Sequence, residues 1–184
     1  MKRSDIFVIY GDQPKKMMGA LLAELDIMEA IPRGKPIAIK PNLVVSKPSS
    51  SGATTDPAIV AGVVEYLQNH GFTDLVIMES SWLGDDVQRA YGVCGYDDIS
   101  RRYGVPLENM RNDAGVRINA GEMSVKVCQK ATEVGYLINI PVLKAHCQTE
   151  FTCALKNLKG IIPDMEKRRF HALDLHKPIA YLNK

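Results

Sequence analysis

Pro36-Ile37-Ala38-Ile39-Lys40 is an almost wholly apolar run that ends on a lysine, and its reading decides the fold. A strand with one wet face alternates apolar and polar residues, whereas a strand covered on both faces carries apolar residues at consecutive positions. This run is of the second kind, so helices or other elements must lie on both sides of the sheet to which it belongs.

Outward from it, Leu75-Val76-Ile77-Met78 has the same character, and so does Tyr136-Leu137-Ile138-Asn139-Ile140, read as a buried central strand broken by Pro141. Ile6-Phe7-Val8-Ile9-Tyr10, closed by Gly11, is read as the first strand. Pro14 to Ile31 places Met18, Leu21, Leu22, Leu25 and Met28 at helical spacing. The loop Lys47 to Gly52 has turn composition. Asp56-Pro57 then starts a helix, with Asp as N-cap and Pro at the first helical position, running to Gly71.

Asp85 or Asp86 caps a short helix ending near Val93, and Tyr96 to Tyr103 is helical. Val116-Arg117-Ile118 and Ser124-Val125-Lys126-Val127 form a hairpin-like excursion. Near the end, Glu150 to Lys156 reads as a short helix, Gly160 to Pro163 as a turn, and Leu175 to Asn183 as a helix. Strand–helix alternation of this kind favours a parallel sheet with right-handed crossovers. The expectation is a single α/β domain over 1–184: a mostly parallel sheet flanked by helices, three-layer, with a small antiparallel excursion in the middle.

With 184 residues and 46% hydrophobic content, the chain can bury a substantial core. No stretch has the roughly 18 consecutive apolar residues of a membrane span, and Met1-Lys2-Arg3-Ser4-Asp5 leads into strand-like sequence rather than a signal-peptide core, so a cytoplasmic protein is expected. The formal net charge of +2 gives no global field for nucleic acid. Cys94, Cys128, Cys147 and Cys153 contain no C-x-x-C pair, so reduced, mostly buried thiols are expected.

In open α/β sheets ligands lie outside the carboxyl ends of the strands, and the polar residues of interest fall there. Lys40 and Asn42 leave one strand, Glu79, Ser80 and Ser81 leave another, and Lys144 and His146 follow Ile140. Lys40 at the end of an apolar strand must reach a ligand or a carboxylate, with Glu79 the candidate ion-pair partner. Thr54-Thr55-Asp56-Pro57 offers either an anion site or simple helix capping. Glu79-Ser80-Ser81 with Gly84-Asp85-Asp86 offers Mg²⁺ oxygens or, more simply, caps.

The densest cluster is Lys144-Ala145-His146, Lys156-Asn157-Leu158-Lys159-Gly160, His171 and His176. Lysines bring compact positive charge, Gly160 permits close backbone approach, and histidine moves protons near neutral pH. The competing reading is a solvated basic helix face, which also fits Lys167-Arg168-Arg169. His146, His171 and His176 lack the tight spacing of a metal site, and Cys147 and Cys153 lack the cysteine run of a ferredoxin-like cluster.

Lys40-Pro41-Asn42-Leu43, Thr54-Thr55-Asp56-Pro57, Pro141-Val142-Leu143-Lys144-Ala145-His146 and Leu155-Lys156-Asn157-Leu158-Lys159-Gly160, followed by His171, occur in an order that resembles the bacterial and archaeal family called domain of unknown function 362. The resemblance spans Lys40 to Asn183, and Lys-Asn-Leu-Lys-Gly is its most specific element. It implies an α/β domain often found beside ferredoxin-like four-iron clusters, with no assigned activity. This chain departs from the family in lacking the cysteine run and in corresponding to a first half only. On that reading Ile161, Ile162, Phe170, Ile179 and Leu182 should be exposed for a homodimer or a partner chain.

The leading expectation is a small-molecule enzyme or binding domain for a phosphorylated or carboxylated compound. Lys40, Asn42, Thr54, Thr55, Glu79, Lys156, Asn157, Lys159 and Gly160 would bind it, with His146, His171 and Lys144 as catalytic groups. The alternatives are a redox accessory that works with an iron–sulfur partner protein or carries a metal through the cysteines and His146, and a non-catalytic fragment that keeps the fold and an interface. Neither cofactor nor metal is specified by the sequence.

Overall fold

The computed structural model describes residues 5–184, so the reading of Met1–Ser4 as the lead into a strand lies outside the described residues. The helix expected after Pro14 is α1 (Pro14–Leu25), followed by a 3₁₀ turn at Ile27–Glu29. Strand β1 (Ile37–Pro41) is buried at every position, as its apolar run requires. Helix α2 (Pro57–Asn69) begins where Asp56 caps it, its carboxylate accepting from the Ala58 amide at 2.8 Å. Strand β2 (Leu75–Glu79) and helices α3 (Val87–Val93) and α4 (Tyr96–Tyr103) follow as read, with Asp86 as the α3 cap.

The short strand β3 (Leu107–Asn109) pairs parallel with β2, and β6 (Tyr136–Ile140) pairs parallel with β1. Between them lies the expected antiparallel hairpin, β4 (Gly115–Ala120) with β5 (Met123–Cys128), and helix α5 (Gln129–Glu133). The main sheet therefore runs β3-β2-β1-β6, all parallel.

Alternation along the strands divides the core in two. Ile37, Ile39 and Ile77 face one cluster with Val60, Val63, Leu67, Tyr91 and Tyr96, supplied by α2, α3 and α4. Ala38 and Met78 face a second cluster with Val125 and Cys128 of the hairpin and with Phe170 and Ile179. Phe170 belongs to α7 (Asp164–Ala172) and Ile179 to α8 (His176–Leu182). The result is three layers, as β1 requires. No helix among the described residues is long and apolar enough to cross a membrane.

Several expectations change. Ile6 to Tyr10 forms no strand, and Ile6 and Tyr10 are 87% and 91% exposed. Strand β6 is an edge strand with half-buried residues, not a central one. The helix expected at Glu150–Lys156 starts only at α6 (Ala154–Asn157), because Glu150–Thr152 is strand β8 paired antiparallel with β7 (Lys144–His146). A 3₁₀ turn at Leu158–Ile161 replaces the turn read at Gly160–Pro163. The residues expected to be exposed for a partner chain are not: Ile161, Ile162, Phe170 and Ile179 are buried, and Leu182 packs against their cluster.

Candidate functional site

The loops after β1, β2 and β6 meet α6 and α7 at the carboxyl ends of the strands and enclose a cavity of about 350 Å³. Its floor is built on a buried ion pair. Lys40 Nζ lies 2.6 Å from Glu79 Oε2 and also donates to the Pro41 carbonyl at 2.8 Å. Glu79 accepts in addition from the amides of Leu43 (3.2 Å), Ser80 (2.7 Å) and Ser81 (3.3 Å), so its charge is fully used. Burial pushes the Lys40 pKa down against the opposing pull of Glu79. The ion-pair reading of Lys40 is the correct one.

The Lys-Asn-Leu-Lys-Gly segment closes over this pair. A Cβ on Gly160 would lie 2.6 Å from Lys40 Nζ and closer still to Glu79 Oε1, so only glycine lets the backbone sit there. The Gly160 carbonyl accepts from Ser80 Oγ at 2.9 Å. Asn157 ties the segment to the sheet, donating from Nδ2 to Asn139 Oδ1 at 2.7 Å and to the Lys40 carbonyl at 3.3 Å.

Above the floor stand three lysines of another kind. Lys144, Lys156 and Lys159 line the cavity, and among the described residues none of them forms an ion pair. Lys144 donates only to neutral oxygens, Asn42 Oδ1 at 3.0 Å and the Ala53 carbonyl. Burial, with Lys156 adding repulsion, brings the Lys144 pKa down from 10.5 to about 8. Burial, then Lys156 and Lys167, brings Lys159 to about 8 as well, and burial lowers Lys156.

The histidines are set by their partners. Amides of Gln148 (3.1 Å) and Thr149 (3.3 Å) donate to His146 Nδ1, so the neutral ring carries its proton on Nε2 and acts as a donor there. His171 accepts from Lys159 Nζ at Nε2 (3.1 Å) and donates from Nδ1 to Gln148 Oε1 (3.0 Å). Burial and then the neighbouring lysines lower both pKa values from the ordinary histidine value, which favours the neutral rings.

Of the residues expected to form a site, Asn42, Glu79, Lys144, His146, Lys156, Asn157, Lys159, Gly160 and His171 line this one cavity. Lys40 is sealed beneath it. Thr54 and Thr55 are scaffold: Thr54 Oγ1 donates to the Lys47 carbonyl, and Thr55 Oγ1 bridges the Asn42 amide and the Ile140 carbonyl, each at 2.8 Å. His176 opens α8 and does not line the cavity. Asp85 is also scaffold. Burial raises its pKa, but donors from the Ser46 amide and hydroxyl, the Asp86 amide and Arg89 outweigh this and hold it at about 2.

Sequence reasoning passed over Trp82, Leu83, Gln148 and Thr152, which also line the cavity. Lys167, read as part of a solvated face, is buried and donates to the Ser81 carbonyl at 2.9 Å and to Asp164 at 3.0 Å. Thr152 Oγ1 is buried without a hydrogen-bond partner among the described residues. Cys94 and Cys128 are buried, and burial pushes Cys128 up to about 12, but Cys147 is exposed on the cavity wall. Among the described residues no three His, Cys, Asp or Glu side chains are grouped closely enough to hold one metal ion.

A parallel sheet with a lysine-lined cavity at its carboxyl ends defines an open α/β protein with a cavity where that class places ligands. Residues 37–184 match the model of the domain of unknown function (DUF362), and the chain belongs to this family. It is also similar to the thylakoid-associated protein sll1697 of Synechocystis sp. (strain ATCC 27184 / PCC 6803 / Kazusa), with 26% identity over 143 residues, 75% of this chain and 42% of that protein. The chain thus spans less than half the length of this curated relative.

Proposed function

We propose that the cavity binds a small phosphorylated or carboxylated compound. The observation that carries this reading is the set Lys144, Lys156 and Lys159, which converges on one cavity where Glu79, the one lining carboxylate among the described residues, is already neutralised by Lys40. Holding like charges together in a half-buried site raises the energy of the free protein, and an entering anion relieves it. His146 Nε2–H and the unpartnered Thr152 hydroxyl add neutral donors suited to phosphate or carboxylate oxygens.

Calorimetric titration with inorganic phosphate and with small carboxylates tests the reading. Binding that is lost in Lys144→Ala and Lys156→Ala, with both variants still folded, is the expected result. Unchanged affinity in these variants, or no binding of any anion, overturns it.

The accessory-to-iron–sulfur reading draws on a single observation, the exposed Cys147 beside His146 on the cavity wall. Two donors fall short of a cluster's usual ligand set, so on this reading a partner must supply the rest. Iron content after anaerobic purification separates the two readings.

A further inference from the structure

Trp82 is the chain's single tryptophan, and it lines the cavity while remaining 54% exposed. A large aromatic ring left half bare beside a charged cleft loses the burial that normally holds it in place. Part of the indole rests on Gly84, where a Cβ would fall 2.8 Å from Cε3 and closer to Cζ3 and Cη2, so a larger residue there would displace the ring from this position.

The backbone on both sides of the ring is pinned. Trp82 N donates to the Val44 carbonyl and the Trp82 carbonyl accepts from the Asp85 amide, both at 3.0 Å. Ser81 adopts a left-handed φ of 51°, rare for a residue with a side chain, and is held there by its hydroxyl on the Leu43 carbonyl (2.7 Å) and by Lys167 on its own carbonyl (2.9 Å). Arg111 donates to the Leu83 carbonyl at 2.6 Å. Buried charge and backbone strain are thus spent on presenting an indole at the cavity, with Val44 and Leu83 as apolar neighbours.

From this we infer that the anion bound here carries a flat unsaturated ring that stacks on Trp82, as in a nucleotide or an aromatic carboxylate. The inference rests on the anion-binding reading above and names the class of compound that the same site selects. A cavity of about 350 Å³ falls at the lower end of the range for small-molecule sites, so it accommodates a ring together with its anionic group.

Two matched pairs of probes test it: adenosine 5′-monophosphate against ribose 5-phosphate, and benzoate against cyclohexanecarboxylate. Within each pair the anionic group is the same and only one member carries an aromatic ring. In at least one pair the aromatic member should bind about tenfold more tightly, the scale of one ring stacked on an aromatic side chain, and should quench the fluorescence of Trp82. By calorimetry, Trp82→Ala should erase the preference and Trp82→Phe should keep part of it. Equal affinities within both pairs, or a preference that survives Trp82→Ala, overturns the inference while leaving the anion site standing. Failure of all four probes and of inorganic phosphate overturns both.

Discussion

Lys40 and Lys144 lie on neighbouring parts of one site, yet the protein treats their charges in opposite ways. Lys40 is fully buried and matched: a carboxylate at 2.6 Å, a carbonyl at 2.8 Å, and a glycine that makes room for the pair. Lys144 is half-buried among other lysines and finds only neutral oxygens. A buried, matched pair fixes the geometry of strand ends, whereas clustered cations without a counter-charge cost stability and repay it only when an anion arrives. The first lysine is matched within the fold, and the second is the one the proposed anion would match.

The largest effects should come from breaking the matched pair. Lys40→Met leaves Glu79 buried beside amide donors alone and should cost about 3–5 kcal/mol in urea denaturation, part of which Lys40→Met/Glu79→Gln recovers. A smaller loss for the single variant would mean that the backbone amides suffice to hold Glu79. Gly160→Ala should come next, at about 1–3 kcal/mol, because the new methyl displaces the pair. An alanine as stable as the glycine would show that the Lys-Asn-Leu-Lys-Gly segment is not seated on it.

The unmatched lysines should behave in the opposite sense. Lys156, whose side chain forms no hydrogen bond or ion pair among the described residues, can be replaced by Met with a gain of a few tenths to about 1 kcal/mol, a range reduced for its contact with solvent, while phosphate affinity falls. Acidity sharpens the contrast. Lys144 and Lys159 titrate at about 8 in the folded protein and at 10.5 in the unfolded chain. Between these values the unfolded chain binds more protons, so stability without ligand rises with pH over that interval. Anion affinity falls over the same interval, because the lysines that attract the anion lose their charge. Denaturation and calorimetry at pH 7 and pH 9 should therefore move in opposite directions, and parallel movement would contradict this assignment.

The sheet was legible where local sequence and burial agree. Apolar runs at β1, β2 and β6 made strands because two core faces demand such runs, and Asp56 and Asp86 marked helix starts by chemistry that acts within a few residues. Ile6 to Tyr10 has the same composition and forms no strand, since β propensity states only that a residue suits a pleated surface. Strand β3, with Glu108 and Asn109 among its three residues, exists through its pairing with β2, which no local pattern announces. Glu150 sits at a φ of 60° at the start of β8, where the β7–β8 pairing overrides the helix read from the sequence.

At the site, the lysines stood out because charge next to apolar strands is conspicuous. Lys167 was concealed within Lys-Arg-Arg: one position along the helix separates it, buried, from the exposed Arg168. Trp82 and Thr152 matter through what surrounds or fails to surround them, and that is a property of the folded chain.

Side-chain NMR of lysine-labelled protein, titrated without and with saturating inorganic phosphate, tests the central claim most directly. The free protein should show Lys144 and Lys159 titrating near 8, and phosphate should return both toward 10.5. Values that begin near 10.5, or that stay near 8 when phosphate is added, would contradict the assignment of this cluster as an anion site.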